Sequence, residues 1–370
     1  MATSRLHELS EQGQSVWIDF LSRPLLKDGD LERLIKEDAV VGVTSNPTIF
    51  QKAISSGDAY DEQIQEVLER CEDPKEVFLE LAVRDVQDAC DVLRDTYERT
   101  DGVDGFVSLE VDPEIAFDSD ATVEEAARLS ELVDRPNVYI KIPATQDGLS
   151  AIEKTIGAGI PVNVTLIFGL DRYRAVAEAY IKGLEHLVES GGDPSKVPSV
   201  ASFFVSRVDS EADKRLDEKG EKELRGKLAI ANAKLAYQAY KEIFAGDRWE
   251  KLASKGARPQ RCLWASTSVK DDAYKDTMYV EELIGPDTVD TMPPETIEAF
   301  QDHGEVAGDA LERDVDGARK LLDDLRDAGI DYDDVIDTLE KEGVEKFSKS
   351  FSELLDDVKS KREQLAGATS

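Results

Sequence analysis

The chain has 370 residues, of which 41% are hydrophobic and 34% are charged, so it is long enough to bury a substantial core and is not disordered. Its 79 acidic and 45 basic residues give a formal net charge of −34. A surface of that sign repels the phosphates of nucleic acids and of anionic lipids, which argues against both as partners.

Eight short apolar runs bounded by turn residues predict β-strands along the chain. They cover residues 16–20, 39–44, 105–111, 137–143, 161–168, 199–208, 261–266 and 288–293. The segments between them have the periodicity of amphipathic helices, as in PKEVFLELAVRDVQDACDVLRDTYERT and LDRYRAVAEAYIKGLEHLVES. This alternation predicts parallel strands that are joined by crossover helices.

The strand count predicts an α/β fold with a single (β/α)8 TIM barrel. An open doubly wound sheet is less suitable, because no G-x-G-x-x-G follows any predicted strand. We expect one domain over residues 1–370, with a barrel core at 14–293. A helical stretch at 210–257 would separate strands six and seven, and a helical extension at 294–370 would pack on the barrel exterior.

Polar side chains occur late in most predicted strands, where enzymes of this fold carry their chemistry. They are Asp19, Thr44, Asn46, Glu110, Lys141, Asn163, Thr165 and Ser266. Strand alternation puts Tyr139 with Lys141, and Asn163 with Thr165, on faces that we expect to line the lumen. Singly, such residues have structural explanations, for example an ion pair of Glu110 with Lys141. Together they predict an active site, because leaving them unsatisfied would cost about 1–3 kcal/mol each.

Few kinds of chemistry are available to such a site. The cysteines at 71, 90 and 262 lack C-x-x-C spacing, and the three histidines lie in charged or amphipathic segments, so no metal site is predicted. No cofactor loop is present either, which leaves Lys141 as the nucleophile. Burial favours the neutral amine of a lysine, which attacks a carbonyl to form a Schiff base. Glu110 and Asp19 are the candidate carboxylates for the proton transfers.

Six segments of the chain resemble the transaldolase family. They are VTSNPTIF, VSLEVDP, VYIKIPAT, PVNVTLIF, SFFVSRVD and YVEELIGPDTVDTMP, and their order and spacing match over residues 14–300. The length and the segment WASTSVKDDAYKDTMYVEELI are most similar to the longer bacterial, actinobacterial-type members. The resemblance implies a cofactor-independent transferase of the non-oxidative pentose phosphate pathway.

The resemblance also implies residue roles. Lys141 would form the Schiff base, and Asp19 would be the acid/base on the hydroxyl at the cleaved bond. Glu110 would act through a water held by Thr165. Substrate binding would fall to Asn46, Asn163, Ser202, Arg207 and Ser266. The implied reaction transfers a dihydroxyacetone unit from sedoheptulose 7-phosphate to glyceraldehyde 3-phosphate.

The phosphate-binding end departs from the family pattern. Many transaldolases have Ser-Phe-Arg where this chain has Ser-Thr-Ser at 266–268, so one family arginine is missing. Ser268 and Lys270 are the candidates to replace it, although a lysine is a point charge and not a bidentate fork. Lys270 could equally belong to a solvated loop, and Arg207 could form a surface salt bridge to the carboxylates at 209 and 211.

Two other functions are compatible with these residues. A class I aldolase similar to fructose-6-phosphate aldolase would use the same Schiff base to release free dihydroxyacetone, although the chain length and Asp19 favour transfer. A non-catalytic barrel would show no turnover, and the presence of Lys141, Glu110 and Asp19 argues against it.

The segment MATSRLHELSEQGQ lacks the apolar core of a signal peptide, and no apolar run approaches ~18 residues. We therefore predict a cytoplasmic protein with sugar phosphates as ligands and with no nucleic-acid or membrane partner. The C-terminal helices are compatible with a monomer or a homodimer. The acidic surface fits either a solubility role or a salt-rich cytoplasm.

Overall fold

A computed structural model describes residues 4–368, with side chains as far as residue 365. Within these residues, eight parallel strands close into a barrel in chain order, which confirms the predicted (β/α)8 fold. The strands are β1 Gln14–Ile18, β2 Val40–Val43, β3 Val107–Glu110, β4 Val138–Pro143, β5 Val162–Ile167, β6 Ser199–Phe204, β7 Arg261–Ala265 and β8 Thr288–Met292. Residues 1–3 and 369–370 of the predicted domain lie outside the described part, and its division at residue 293 stays a prediction.

Helices alternate with the strands and cover the barrel. As far as β6 they are α1 Arg5–Glu11, α2 Arg23–Lys27, α3 Asp30–Glu37, α4 Pro47–Ser55, α5 Asp61–Leu68, α6 Pro74–Val92, α7 Arg94–Arg99, α8 Ser119–Val133, α9 Gln146–Gly157 and α10 Leu170–Glu189. After β6 they are α11 Ser206–Lys219, α12 Leu228–Ile243, α13 Asp247–Ala253, α14 Met278–Glu282, α15 Pro294–His303, α16 Val315–Asp327 and α17 Tyr332–Ala368. Short 3-10 helices occur at Pro113–Ile115, Pro194–Lys196 and Lys222–Leu224.

One strand prediction is wrong at its end. The predicted strand 199–208 stops at Phe204, and α11 begins at Ser206. The overrun has a simple cause, since Val208 continues the apolar run. Val208, however, is buried with Leu216 on one face of α11, which is the spacing of a helix. Arg207 therefore projects from the first turn of a helix and not from a strand.

Aromatic side chains fill the lumen below the polar residues. The rings of Trp17 on β1 and Tyr139 on β4 stack with centroids 6.1 Å apart, and because these strands are not neighbours the contact crosses the lumen. A Cβ at Gly42 would lie 2.4 Å from the Trp17 ring, so only glycine fits there. Lys141 lies two residues after Tyr139 and faces the same lumen, at the carboxyl end of the barrel.

The helix α17 lies across this carboxyl end. Thr48 of α4 donates a hydrogen bond of 3.0 Å to Ser350 of α17, and the Phe347 ring lies 5.8 Å from Lys141 Nζ. The helix is exterior to the strands, as expected, but its position over the barrel mouth was not predicted. None of the described helices is long and apolar enough to span a membrane.

Candidate active site

Lys141 is enclosed near the carboxyl end of β4, and its side chain is only 6% exposed. Nζ lies 3.4 Å from Oε2 of Glu110 and donates a hydrogen bond of 3.2 Å to the carbonyl oxygen of Ser45. The ring of Phe347 lies over it from α17. A buried lysine amine beside a carboxylate is well placed to act as a nucleophile.

Glu110 is the carboxylate beside this amine. It pairs with Lys141 in the register of β3 and β4, and its side chain is 5% exposed. Within the described residues neither carboxylate oxygen accepts a hydrogen bond, so the contact with Lys141 is an ion pair alone. Burial raises the pKa of Glu110 to about 7, although the charge of Lys141 lowers it. A carboxyl group that titrates near neutrality is suited to proton transfer.

Asp19 follows β1 directly and is the second carboxylate of the site. Its Oδ1 accepts a 2.7 Å hydrogen bond from the hydroxyl of Thr44, and that hydroxyl lies 2.7 Å from Oγ1 of Thr291. Burial raises the pKa of Asp19, whereas the charge of Lys141 and the Thr44 hydrogen bond lower it. Asp19 and Glu110 therefore differ in hydrogen bonding, since only Asp19 accepts a side-chain hydrogen bond within the described residues, while the charge of Lys141 acts on both.

A chain of hydrogen-bonded side chains links β6, β5 and β3 next to Lys141. Ser202 donates to Oδ1 of Asn163 at 2.7 Å, and Nδ2 of Asn163 donates to Ser108 at 3.0 Å. Thr165, two residues beyond Asn163, has a buried hydroxyl with no partner among the described residues. The next residue, Leu166, has a φ of 61°, and β5 shows a register irregularity there. Such a bulge redirects the neighbouring side chains.

Asn46 has two functions in the structure. Its Oδ1 accepts a 3.1 Å hydrogen bond from the backbone N–H of Ile49 and caps α4, which begins at Pro47. Its side chain also lines the cavity above Lys141. The turn role that the sequence suggested is thus present, and the same side chain contributes to the cavity lining.

A cavity of 460 Å³ opens above Lys141, which is a size suited to a small polar metabolite. Eight of the ten predicted site residues line it: Asp19, Asn46, Lys141, Thr165, Ser202, Arg207, Ser266 and Lys270. The other two, Glu110 and Asn163, flank Lys141 in the registers of β3 and β5. The strand ends therefore bring the predicted residues together.

Arg207 and the residues after β7 form one side of the cavity mouth. Nη1 of Arg207 is buried and has no partner within the described residues, and burial lowers the pKa of this guanidinium. The salt bridges considered for it are not formed, since Asp209 accepts from Ala229 and Tyr279 and Glu211 pairs with other cations. Arg207 is therefore available to an incoming anion.

Sequence comparison gives an independent result. The profile of the family described as Transaldolase/Fructose-6-phosphate aldolase matches residues 16–358. The chain belongs to this family. It is 56% identical over 353 residues to a transaldolase of Frankia alni, covering 95% of each chain. It is 54% identical over 369 residues to a transaldolase of Thermobifida fusca, covering 99% of this chain and 100% of the relative.

Membership of the transaldolase family confirms the resemblance found in the six segments and makes the chain an enzyme of the transferase class. "Transaldolase 2" of Streptomyces coelicolor is 53% identical over 367 residues, covering 98% of this chain and 99% of the relative. This agrees with the predicted similarity to actinobacterial members.

Sequence reasoning missed several residues of the site in this transaldolase-family chain. They are Lys52 of α4, Glu295 of α15, and Lys346, Phe347 and Ser350 of α17. All five lie on helices, where a polar or apolar residue at helical spacing has no signal that separates a site from a surface or a core. Thr44 was noted as polar, but its hydrogen bond to Asp19 could not be anticipated.

Proposed function

We propose that this protein is a transaldolase that transfers a dihydroxyacetone unit from sedoheptulose 7-phosphate to glyceraldehyde 3-phosphate through a Schiff base on Lys141. The products are erythrose 4-phosphate and fructose 6-phosphate, in the non-oxidative pentose phosphate pathway. The observation that carries the proposal is the buried amine of Lys141 with Glu110 at 3.4 Å. The names and the identities of 53% to 56% of the relatives support it.

The first half of the reaction forms the imine. The amine of Lys141 attacks the ketone carbon of the donor sugar and gives a carbinolamine. Loss of water needs a proton, which Glu110 supplies, because its pKa of about 7 leaves a protonated fraction at neutral pH. A water between Glu110 and the unpartnered hydroxyl of Thr165 would carry that proton.

The second half breaks and remakes a carbon–carbon bond. Asp19 takes the proton from the hydroxyl next to the bond, the bond breaks, and its electron pair passes to the iminium group and forms an enamine. The aldehyde product leaves. The enamine then attacks the aldehyde carbon of the acceptor, Asp19 returns its proton to the new hydroxyl, and water releases the ketose from Lys141.

Substrate binding divides between the two ends of the cavity. Asn46, Asn163 and Ser202 would hold sugar hydroxyls and the imine intermediate near Lys141. The phosphate at the mouth would be held by Arg207, Ser266 and Lys270. Ser268 lines the same side of the cavity and accepts a hydrogen bond from Lys270. We further expect a cytoplasmic enzyme that works as a monomer or a homodimer.

The competing function is cleavage by a class I aldolase, because the family description also includes fructose-6-phosphate aldolase. The test is to incubate the protein with sedoheptulose 7-phosphate, with and without glyceraldehyde 3-phosphate, and with fructose 6-phosphate alone. A transaldolase forms more than one equivalent of erythrose 4-phosphate per enzyme only when the acceptor is present, because the enamine on Lys141 must be consumed before the next turnover. Release of free dihydroxyacetone from fructose 6-phosphate at a comparable rate would favour the aldolase, and no product in any mixture would favour a non-catalytic barrel.

A further inference from the structure

Lys52 is a cation in the cavity for which neither the sequence nor the comparisons provide a role. It lies in α4, the helix that Asn46 caps, and both side chains line the cavity above Lys141. One short helix with its N-cap therefore contributes two polar side chains to the cavity lining. Lys52 is itself solvent-exposed, so it borders the cavity from its open side.

The cations of the cavity mouth lack the counter-charges that are common elsewhere in this protein. Within the described residues Lys52, Arg207 and Lys270 form no ion pair, although the chain has 79 acidic residues for 45 basic ones. Lys346 also lines the cavity, but it is paired with Glu342 at 2.8 Å. The three unpaired cations are thus a distinct group within one pocket.

The unpaired cations are close enough to oppose one another. Burial lowers the pKa of Lys270, the charges of Arg207 and Lys52 lower it further, and Glu295 and Asp19 act in the opposite direction. Holding three like charges around one space costs free energy, and the carboxylates of Asp19 and Glu295 in the same lining form no salt bridge with any of the three described cations. An anion that enters with the ligand removes this cost, and a phosphate group offers several acceptor oxygens to such donors.

We propose that Lys52 is a phosphate-binding residue, the third cation beside Arg207 and Lys270 that contacts the phosphate group of the sugar phosphate. The inference rests on the proposed function, because the substrates of that reaction bring the phosphate. It extends the phosphate site from the residues after β6 and β7 to the helix after β2. Lys52 is thereby a specificity residue for phosphorylated over unphosphorylated sugars.

The test compares Lys52→Gln with Lys36→Gln, which removes the same charge from the exposed face of α3. Binding of inorganic phosphate is measured by calorimetric titration, and KM is measured for glyceraldehyde 3-phosphate and for unphosphorylated glyceraldehyde. Because a hydrogen bond to a charged group contributes about 1.5–3 kcal/mol, we expect Lys52→Gln to weaken phosphate binding at least about tenfold. The KM of glyceraldehyde 3-phosphate rises in parallel, while kcat and the kcat/KM of glyceraldehyde stay within about twofold. Lys52→Arg restores most of the affinity, because it keeps the charge.

Three results would overturn the proposal. The first is unchanged phosphate binding in Lys52→Gln. The second is an equal loss of phosphate affinity in Lys36→Gln, which would indicate only the general electrostatic field of the protein. The third is an equal loss of kcat/KM for unphosphorylated glyceraldehyde, which would indicate a role apart from phosphate binding. Phosphate titration needs no turnover. A protein without transfer activity would therefore contradict the proposed function and leave the test of Lys52 valid.

Discussion

Replacing Glu110 by glutamine tests the proton-transfer role of this carboxyl group. Burial raises the pKa of Glu110 from an ordinary value of 4.5 to about 7. One pKa unit corresponds to about 1.4 kcal/mol, so the folded protein disfavours the carboxylate by about 3 kcal/mol. Because the folded state holds the proton more tightly than the unfolded chain, stability from this group is present below pH 4.5 and is lost as the pH rises to about 7.

Glu110→Gln removes this titration and the acid/base group together. We expect kcat of the transfer reaction to fall about 10²- to 10⁴-fold, and the inflection of kcat near pH 7 to disappear. Between pH 4.5 and 7, the unfolding free energy of the unmodified protein should decrease relative to that of the variant, by up to about 3 kcal/mol. Steady-state assays and urea unfolding at a series of pH values measure both effects.

The matched control is Glu114→Gln, which changes an exposed glutamate that follows β3 and should alter neither profile. A Glu110→Gln enzyme that keeps the kcat and the pH dependence of the unmodified protein would refute the proton-transfer role. A lost kcat with no change in the pH dependence of stability would instead refute the raised pKa.

Two further substitutions test the surroundings of the site. Thr44→Val removes a 2.7 Å hydrogen bond to Asp19, and this hydrogen bond lowers the pKa of the Asp19 carboxyl group. The apparent pKa assigned to Asp19 in the pH–rate profile should therefore rise, and kcat should fall about tenfold. An unchanged profile would show that Asp19 does not depend on this hydroxyl. Gly42→Ala places a Cβ 2.4 Å from the Trp17 ring, so thermal or urea unfolding should show that the free energy of unfolding falls by about 1–3 kcal/mol. The control is Gly246→Ala, where a Cβ would meet open space, and it should lower the free energy of unfolding less than Gly42→Ala. Gly57→Ala is unsuitable as a control because Gly57 has a φ of 78°.

The strands and the residues on them were predictable because barrel strands carry a local signal. A lysine inside VYIKIP and a glutamate at the end of VSLE interrupt apolar runs, so the sequence alone singles out Lys141 and Glu110, which lie 3.4 Å apart in the structure. The alternation of side chains also placed Lys141 in the lumen. Local pattern was thus sufficient wherever the functional residue lies on a strand.

The helices contributed what the sequence could not predict. The residues of α17 have an amphipathic spacing that fits packing anywhere on the barrel, and only the tertiary contacts place Phe347 over Lys141. Lys52 occupies a polar position of α4 that resembles a solvated face, and Arg207 was assigned to a strand because the apolar run continues past Phe204. Which helix residues reach the site depends on the positions of whole helices, and those positions have no local signal.

Trapping of the Schiff base tests the central claim most directly. The protein is incubated with fructose 6-phosphate, reduced with borohydride, digested, and examined by peptide mass spectrometry, with Lys141→Ala treated in parallel. We predict a mass increment for a reduced three-carbon ketone adduct that is confined to the peptide containing Lys141 and absent from the variant. Folded protein that gives no adduct, or an adduct on another lysine, would contradict the assignment of Lys141 as the nucleophile.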